Sequence, residues 1–322
     1  MNQALVSVFA ESETPQAEKL IHQPLRTTFN TKENNLSLFM PFSNTARTGI
    51  KVITVSRTGG LSGAINIFSP DGKLLGLLNA AEITAFRTAL AVMTLFVRCS
   101  SLKKENIVIM GSGKQAEWHA RLALLLVPEQ VRRVTFINRS CKRLHEIEKD
   151  VITPLRTMHP NVVITTLAKE GNPDYGEQLR SELGASDVIF SCTPATEPNF
   201  PYSYLHQSPK QRFISMIGSY KPHMQEIDSE TLLSGGAKVY VDSKDACLKE
   251  SGELIRASVT ENQLIEVGGL YKAHDKSEAL QVADGCNVIF KCVGMGIMDL
   301  AVGLKILDIA REQGLGMEVD GF

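Results

Sequence analysis

Residues 107–116, IVIMGSGKQA, constrain the fold more than any other stretch of the chain. A β-branched run stops at Gly111, and the pattern G-x-G-x-x-A (Gly111, Gly113, Ala116) opens the helical stretch KQAEWHARLALLLV. Strand, glycine turn and helix in that order begin a dinucleotide-binding βαβ unit. The first glycine permits the tight turn, the second lets backbone amides approach a pyrophosphate, and Ala116 allows close helix packing.

The downstream sequence fits that beginning. From about residue 107 short apolar runs alternate with longer amphipathic stretches: NIVIMG, VTFIN, VVITTL, DVIFSCT, RFISMIG and AKVYVD. Such alternation predicts a parallel sheet wound by helices on both faces. The second run ends at Asn138-Arg139-Ser140, with Arg143 close behind. A carboxylate at this turn would bind a ribose 2′-hydroxyl, whereas an arginine with amide and hydroxyl donors suits a 2′-phosphate. NADPH is therefore favoured as cofactor, with NAD as the alternative; the structural reading of Arg139 and Arg143 is a solvated helix start.

The first hundred residues differ. GIKVITVSR, SGAINIF and GKLLGLLN are strand candidates joined by turn signals such as Pro70-Asp71-Gly72, and they predict an antiparallel or mixed sheet. AAEITAFRTALAVMTLFVRCSS reads as one helix leading into the wound domain, and GIMDLAVGLKILDIAREQ as a final helix. The expected fold class is α/β: a Rossmann-type doubly wound domain over 105–292, plus a discontinuous α+β domain over 1–104 completed by 293–322. Within that first domain Arg26, Lys51 and Arg87 interrupt apolar or turn-rich stretches. A buried cation needs a partner. Either a bound carboxylate or internal ion pairs would serve.

Composition narrows the partner. The 34 basic and 35 acidic residues nearly cancel, which gives no basis for a nucleic acid or an anionic membrane as partner. Cys99, Cys141, Cys192, Cys247, Cys286 and Cys292 form no C-x-x-C pair, so they read as reduced thiols and no metal is expected. The N-terminus MNQALVSVFAESETPQ lacks the basic region of a signal peptide, and a cytoplasmic location is expected.

HQPLRTTF, FMPF, IKVITV, EITAFRTALA, GSGKQAEWH, INRS, TPATEP, VDSKDACLKESGEL and KCVGMGIMDLAV occur in this order along the chain. The set resembles the motifs of the ornithine cyclodeaminase/mu-crystallin family over nearly the whole length, and is most similar to the mu-crystallin, or ketimine reductase, branch. The resemblance implies a homodimer assembled through the first domain. It implies that Arg26, Lys51 and Arg87 hold the α-carboxylate of a small amino- or imino-acid substrate beside the nicotinamide. Separately from the resemblance, a Lys51 pKa lowered by neighbouring cations would fit delivery or stabilisation of the iminium proton. The resemblance further implies that Thr88, Gly111, Gly113, Gln115, Asn138, Arg139, Ser140, Thr193 and the Cys292-Val293-Gly294 turn contact the cofactor. Glu250, in KESG, is implied as a pocket-lining residue, with a structural ion pair as the alternative. The segment before His22 is shorter than the strand and helix that family members usually carry there, so either that element is dispensable or the chain is an abbreviated version with an impaired dimer or activity.

One position discriminates within the family. Cyclodeaminases carry an Asp two residues beyond the glycine that ends the fifth strand of the wound domain; here Gly218 is followed at that spacing by Tyr220. A phenol is a poor base at neutral pH but can donate a hydrogen bond or wall off a pocket. The expected activity is therefore reduction of an α-imino acid by hydride transfer at the α-carbon. The alternatives are an ornithine cyclodeaminase and a non-catalytic protein holding NADPH and a carboxylate-bearing ligand.

Overall fold

The computed structural model of the chain describes residues 1–13, 20–58, 60–206, 210–273, 280 and 282–319. They form two compact units. Unit 1 comprises Met1–Thr88, Val267–Lys276 and Gly294–Phe322, and unit 2 comprises Ala89–Glu266 and Ser277–Val293. The first division falls inside a helix rather than at residue 104, and residues from Val267 join unit 1 although their sequence position is within the expected wound domain.

Unit 1 begins with α1 (Asn2–Ser12), which buries Leu5, Val6, Val8 and Phe9. Its apolar stripe is weak, and periodicity alone does not predict it. The sheet is antiparallel and has five strands rather than three: β1 (Thr27–Asn30), β2 (Leu36–Ser43), β3 (Thr48–Val55), β4 (Leu61–Phe68) and β5 (Leu74–Asn79), in sequence order. β2 escapes a periodicity reading because Pro41 interrupts it; its neighbours Met40 and Phe42 nevertheless pair in register with Lys51 and Gly49 of β3. α2 (Ala80–Phe96) follows directly and carries the chain out of the unit.

Unit 2 is an eight-stranded sheet in which every pairing is parallel. In chain order its elements are β6 (Asn106–Met110), α3 (Lys114–Leu126), β7 (Arg133–Asn138), α4 (Cys141–Ile147), α5 (Thr153–Met158), β8 (Val163–Ala168), α6 (Tyr175–Ala185) and β9 (Val188–Ser191). Then come α7 (Ser203–His206), β10 (Phe213–Met216), α8 (Ser229–Leu233), β11 (Val239–Val241), α9 (Lys244–Glu250), α10 (Gly252–Arg256) and β12 (Leu264–Glu266). α11 (Val267–Ala273) lies in unit 1, β13 (Val288–Lys291) completes the sheet, and α12 (Gly296–Glu312) returns to unit 1.

Across the sheet the order is β8-β7-β6-β9-β10-β13-β11-β12. The central strands β9, β10 and β13 are buried at every position, which is what helices on both faces require. β12 and β13 extend the six expected strands to eight. β13 is only four residues long, and its sequence VIFK ends on a lysine, a poor strand signal until its burial is seen. The strand order reverses direction between β6 and β9, so a switch point lies beside the turn at Gly111.

Candidate active site

The sequence-predicted residues fall into two groups, one in each unit. In unit 1, Lys51 sits on the central strand β3, on the same face as Gly49 and Ile53, with Met40 and Ile65 as its cross-strand neighbours. Strand alternation therefore drives an ammonium into an apolar layer. It is fully buried, and α12 packs over this sheet. The α12 side chain that meets it is Asp299: Lys51 Nζ donates to Oδ1 at 3.2 Å and to Oδ2 at 3.1 Å.

Arg87, on α2, shares that carboxylate. Its Nε donates to Asp299 Oδ1 at 3.2 Å, and one terminal nitrogen lies 3.3 Å from Met298 Sδ. The guanidinium rests on the backbone of Gly294, where φ is +85° and a Cβ would come within 2.6 Å of the arginine. Two cations thus share one carboxylate. Burial lowers the Lys51 ammonium to about 7; Asp299 opposes the shift, while Arg87 and Arg26 add to it. Arg26 is half-buried just before β1, and Thr88 is buried next to Arg87. Internal pairing, the structural alternative raised by the sequence, holds for Lys51 and Arg87.

Asp299 is a site residue that the motif reading does not single out. Its signal is a lone carboxylate within the apolar run GIMDLAVGL, the mirror image of the argument applied to the cations.

In unit 2 the glycine turn has the geometry the pattern predicts. Gly111 has φ +115°, and a Cβ there would lie 2.8 Å from the Cys192 carbonyl oxygen. Gly113 caps the 13-residue helix α3 without a side-chain hydrogen bond, and nothing lies within 4 Å of where its Cβ would be. The helix therefore presents its first amides over an open approach, which suits an anion. Gln115 lies in the first turn of α3. At the end of β7, the Asn138 side-chain amide donates to the Ser112 hydroxyl, and Asn138 Oδ1 accepts from the Ser140 amide at 3.2 Å. Arg139 is exposed; Arg143 pairs with Glu146 at 3.1 Å. Glu170 also reaches this turn, accepting from the Cys141 amide at 3.1 Å.

Thr193 follows β9, and Tyr220 follows β10 in the turn Gly218-Ser219-Tyr220. Cys292 donates its thiol to Asp242 at 3.3 Å, and Asp242 also accepts from the Val293 amide at 3.3 Å. Glu250 is half-buried at the end of α9. The buried acid of that motif is Glu253, three residues on. Beneath the turns lie Glu226, Glu253 and Lys291, none of which carries a sequence signal of its own. Among the described residues no cluster of potential metal ligands occurs, and no helix is long and apolar enough to cross a membrane.

The sheet, its switch point and its glycine turn define a dinucleotide-type α/β unit, joined in one chain to an antiparallel unit with buried cations. The chain belongs to the ornithine cyclodeaminase/mu-crystallin family, whose sequence model matches residues 11–314. It is 31% identical over 313 residues to the uncharacterized protein YGL159W of Saccharomyces cerevisiae, covering 87% of this chain and 83% of that one. It is 25% identical over 341 residues to a delta(1)-pyrroline-2-carboxylate reductase of Bacillus cereus, covering 99% and 95%. Its fold is similar to that of the Thermococcus litoralis delta(1)-pyrroline-2-carboxylate reductase solved with NADH and L-proline, with a TM-score of 0.78, 23% identity and coverage of 99% and 94%.

Removing Asp299 would leave Lys51 and Arg87 buried without their shared counter-charge. Asp299→Asn is expected to lower unfolding free energy by about 3–5 kcal/mol, measured by urea denaturation at pH 6, where Lys51 is charged.

Proposed function

We propose that the protein is an NAD(P)H-dependent reductase of α-imino acids, acting on a cyclic ketimine carboxylate of the pyrroline-2-carboxylate type. The observation that carries this reading is the two-to-one ratio of buried cations to carboxylate at Lys51, Arg87 and Asp299. A second anion beside these cations would complete the balance, and a substrate carboxylate supplies it. Held through Arg87, Lys51 and Arg26, the carboxylate fixes the α-carbon adjacent to it, so that binding becomes orientation. The reductase names carried by the Bacillus relative and the Thermococcus structure support the same substrate class.

The start of helix α3 and the absence of side chains at Gly111 and Gly113 fit a dinucleotide pyrophosphate, with Gln115, Asn138, Arg139, Ser140, Arg143, Thr193, Thr88 and the Cys292–Gly294 turn as the remaining candidate contacts. A bound reduced nicotinamide would supply the hydride that reaches the α-carbon. The imine nitrogen must gain a proton, and Lys51, with its lowered affinity for that proton, is suited to release it. Arg139, Ser140 and Arg143 favour NADPH, while the Glu170 carboxylate at the same turn opposes a 2′-phosphate and favours NADH. Tyr220 in place of an acid favours reduction over cyclodeamination. The expected result is consumption of NADPH or NADH with pyrroline-2-carboxylate and related cyclic ketimines, without ammonia release from ornithine and NAD. Tight dinucleotide binding with no turnover across such a panel would instead identify a ligand-binding protein.

The Lys51 ammonium is charged below its pKa near 7 and neutral above it. kcat/KM is therefore expected to fall by about tenfold per pH unit above that value. Lys51→Met should lower kcat/KM and remove this inflection; an unchanged profile would assign it to another group. The homodimer implied by the family resemblance belongs to the same proposal, with an expected solution mass of twice the 35.3 kDa chain by light scattering.

A further inference from the structure

Unit 2 contains a buried charged cluster to which the proposed reaction assigns no role. Glu226, fully buried, follows the β10 turn in the chain, and its two oxygens address two different turns. Oε1 accepts from the Thr193 amide at 2.8 Å and from the Thr193 hydroxyl at 3.2 Å. Oε2 accepts from the Gly218 amide at 2.7 Å and the Ser219 amide at 3.1 Å. Thr193 lies beyond β9 and Gly218-Ser219 beyond β10, on neighbouring parallel strands. The turns also touch directly, since a Cβ on Gly218 would lie 2.0 Å from the Thr193 carbonyl oxygen.

A second layer holds the first. Glu253 Oε1 accepts from the Ser219 hydroxyl at 2.6 Å and from the amide of Glu226 itself at 2.8 Å. Glu253 Oε2 accepts from the Ser251 hydroxyl at 2.9 Å and lies 3.7 Å from Lys291 Nζ. Lys291 donates to the Ser219 carbonyl at 2.5 Å and also to its hydroxyl. Burial pushes the Glu226 carboxyl up to about 7 against the pull of Lys291 and its donors. Burial alone would raise Glu253 too, but Lys291, Ser219 and backbone amides outweigh it and leave that carboxyl below its ordinary value.

Burying two carboxylates and a lysine is a poor means of gaining stability, because apolar side chains of similar volume do as well or better. What an apolar side chain cannot do is accept from three irregular backbone amides at once. We propose that Glu226 is a positioning residue: it clamps the Thr193 turn to the Gly218–Tyr220 turn, so that a dinucleotide contact and a substrate contact are set as one rigid piece. Lys291 and Glu253 fix the clamp from beneath by holding Ser219. The functional half of this inference rests on the proposed dinucleotide and imino-acid reading; the mechanical half does not.

Glu226→Gln separates the two turns, because an amide has only one acceptor oxygen and its NH2 must face one set of backbone donors. The test is hydrogen exchange of peptides covering 191–200 and 213–224, together with NADH and NADPH titration of the same proteins well below their melting temperatures. A core deletion on α8 that removes none of the clamp's hydrogen bonds, Leu232→Ala, serves as the control for lost stability. Glu226→Gln is expected to speed exchange in both peptides together and to weaken dinucleotide binding about tenfold, whereas the control does neither. If the Gln variant fails to fold, Thr193→Val removes one donor and should produce a smaller change of the same kind. Exchange that rises in one peptide only, or equally in the control, would overturn the clamp. Faster exchange with unchanged dinucleotide affinity would overturn its role in binding. Wild-type protein that binds neither dinucleotide would sink the proposed function and the positioning role with it, whatever the exchange result.

Discussion

Unit 1 depends on one carboxylate. Asp299 reaches from α12 to Lys51 on β3 and to Arg87 on α2, so three elements far apart in sequence meet at a single pair of oxygens. Both cations and the acid are buried, and none could stay charged there without the others. The pairing is also incomplete, since one negative charge answers the two positive ones in contact with it. Burial is the main cause of the lowered Lys51 pKa; Asp299 opposes that shift, and Arg87 and Arg26 add to it.

Unit 2 solves a different problem. A parallel sheet delivers all its strands' carboxyl ends to one edge, where the chain must leave regular structure and strand hydrogen bonding ends. Helix α3 begins at Gly113, where no atom lies within 4 Å of the position a Cβ would take, so an anion can approach its first turn. The amides of Thr193, Gly218, Ser219 and Val293 are instead satisfied from within by Glu226 and Asp242. The same edge therefore presents one helix start that can be approached and several turns whose amides the protein has already committed. This contrast separates the part suited to a ligand from the part that holds its shape.

The glycine turn is legible in the sequence and the groups that hold the committed turns are obscure, for physical reasons. Gly111 and Gly113 are visible because the turn needs residues without side chains at fixed offsets, and Lys51 and Arg87 because a cation in an apolar run violates periodicity. Asp299 violates it equally and can be found by looking for a carboxylate to match the cations. Glu226 and Glu253 cannot, because each lies among ordinary polar residues, in HMQEID and KESGEL, where an acid reads as solvated surface. Only tertiary structure buries them. β13 escapes a sequence reading for a related reason: Lys291 at its end looks like a strand terminus facing water, yet it is fully buried on Ser219 and Glu253.

The two clusters also differ in sign, and that difference bears on function. Among the groups in contact at Asp299, cations outnumber acids; around Lys291, the acids Glu226 and Glu253 outnumber the cation. A cationic excess in a buried layer attracts a carboxylate and is relieved by it, which suits a place that must bind and release. An acidic excess matched by backbone amides gains nothing from an added anion. Its donors are fixed peptide groups rather than mobile side chains, so it resists movement as well. On the proposed reading, the same chemistry, buried charge with too few counter-charges, would yield a receptive site where the missing partner is an anion and a rigid one where backbone N–H groups already fill the deficit.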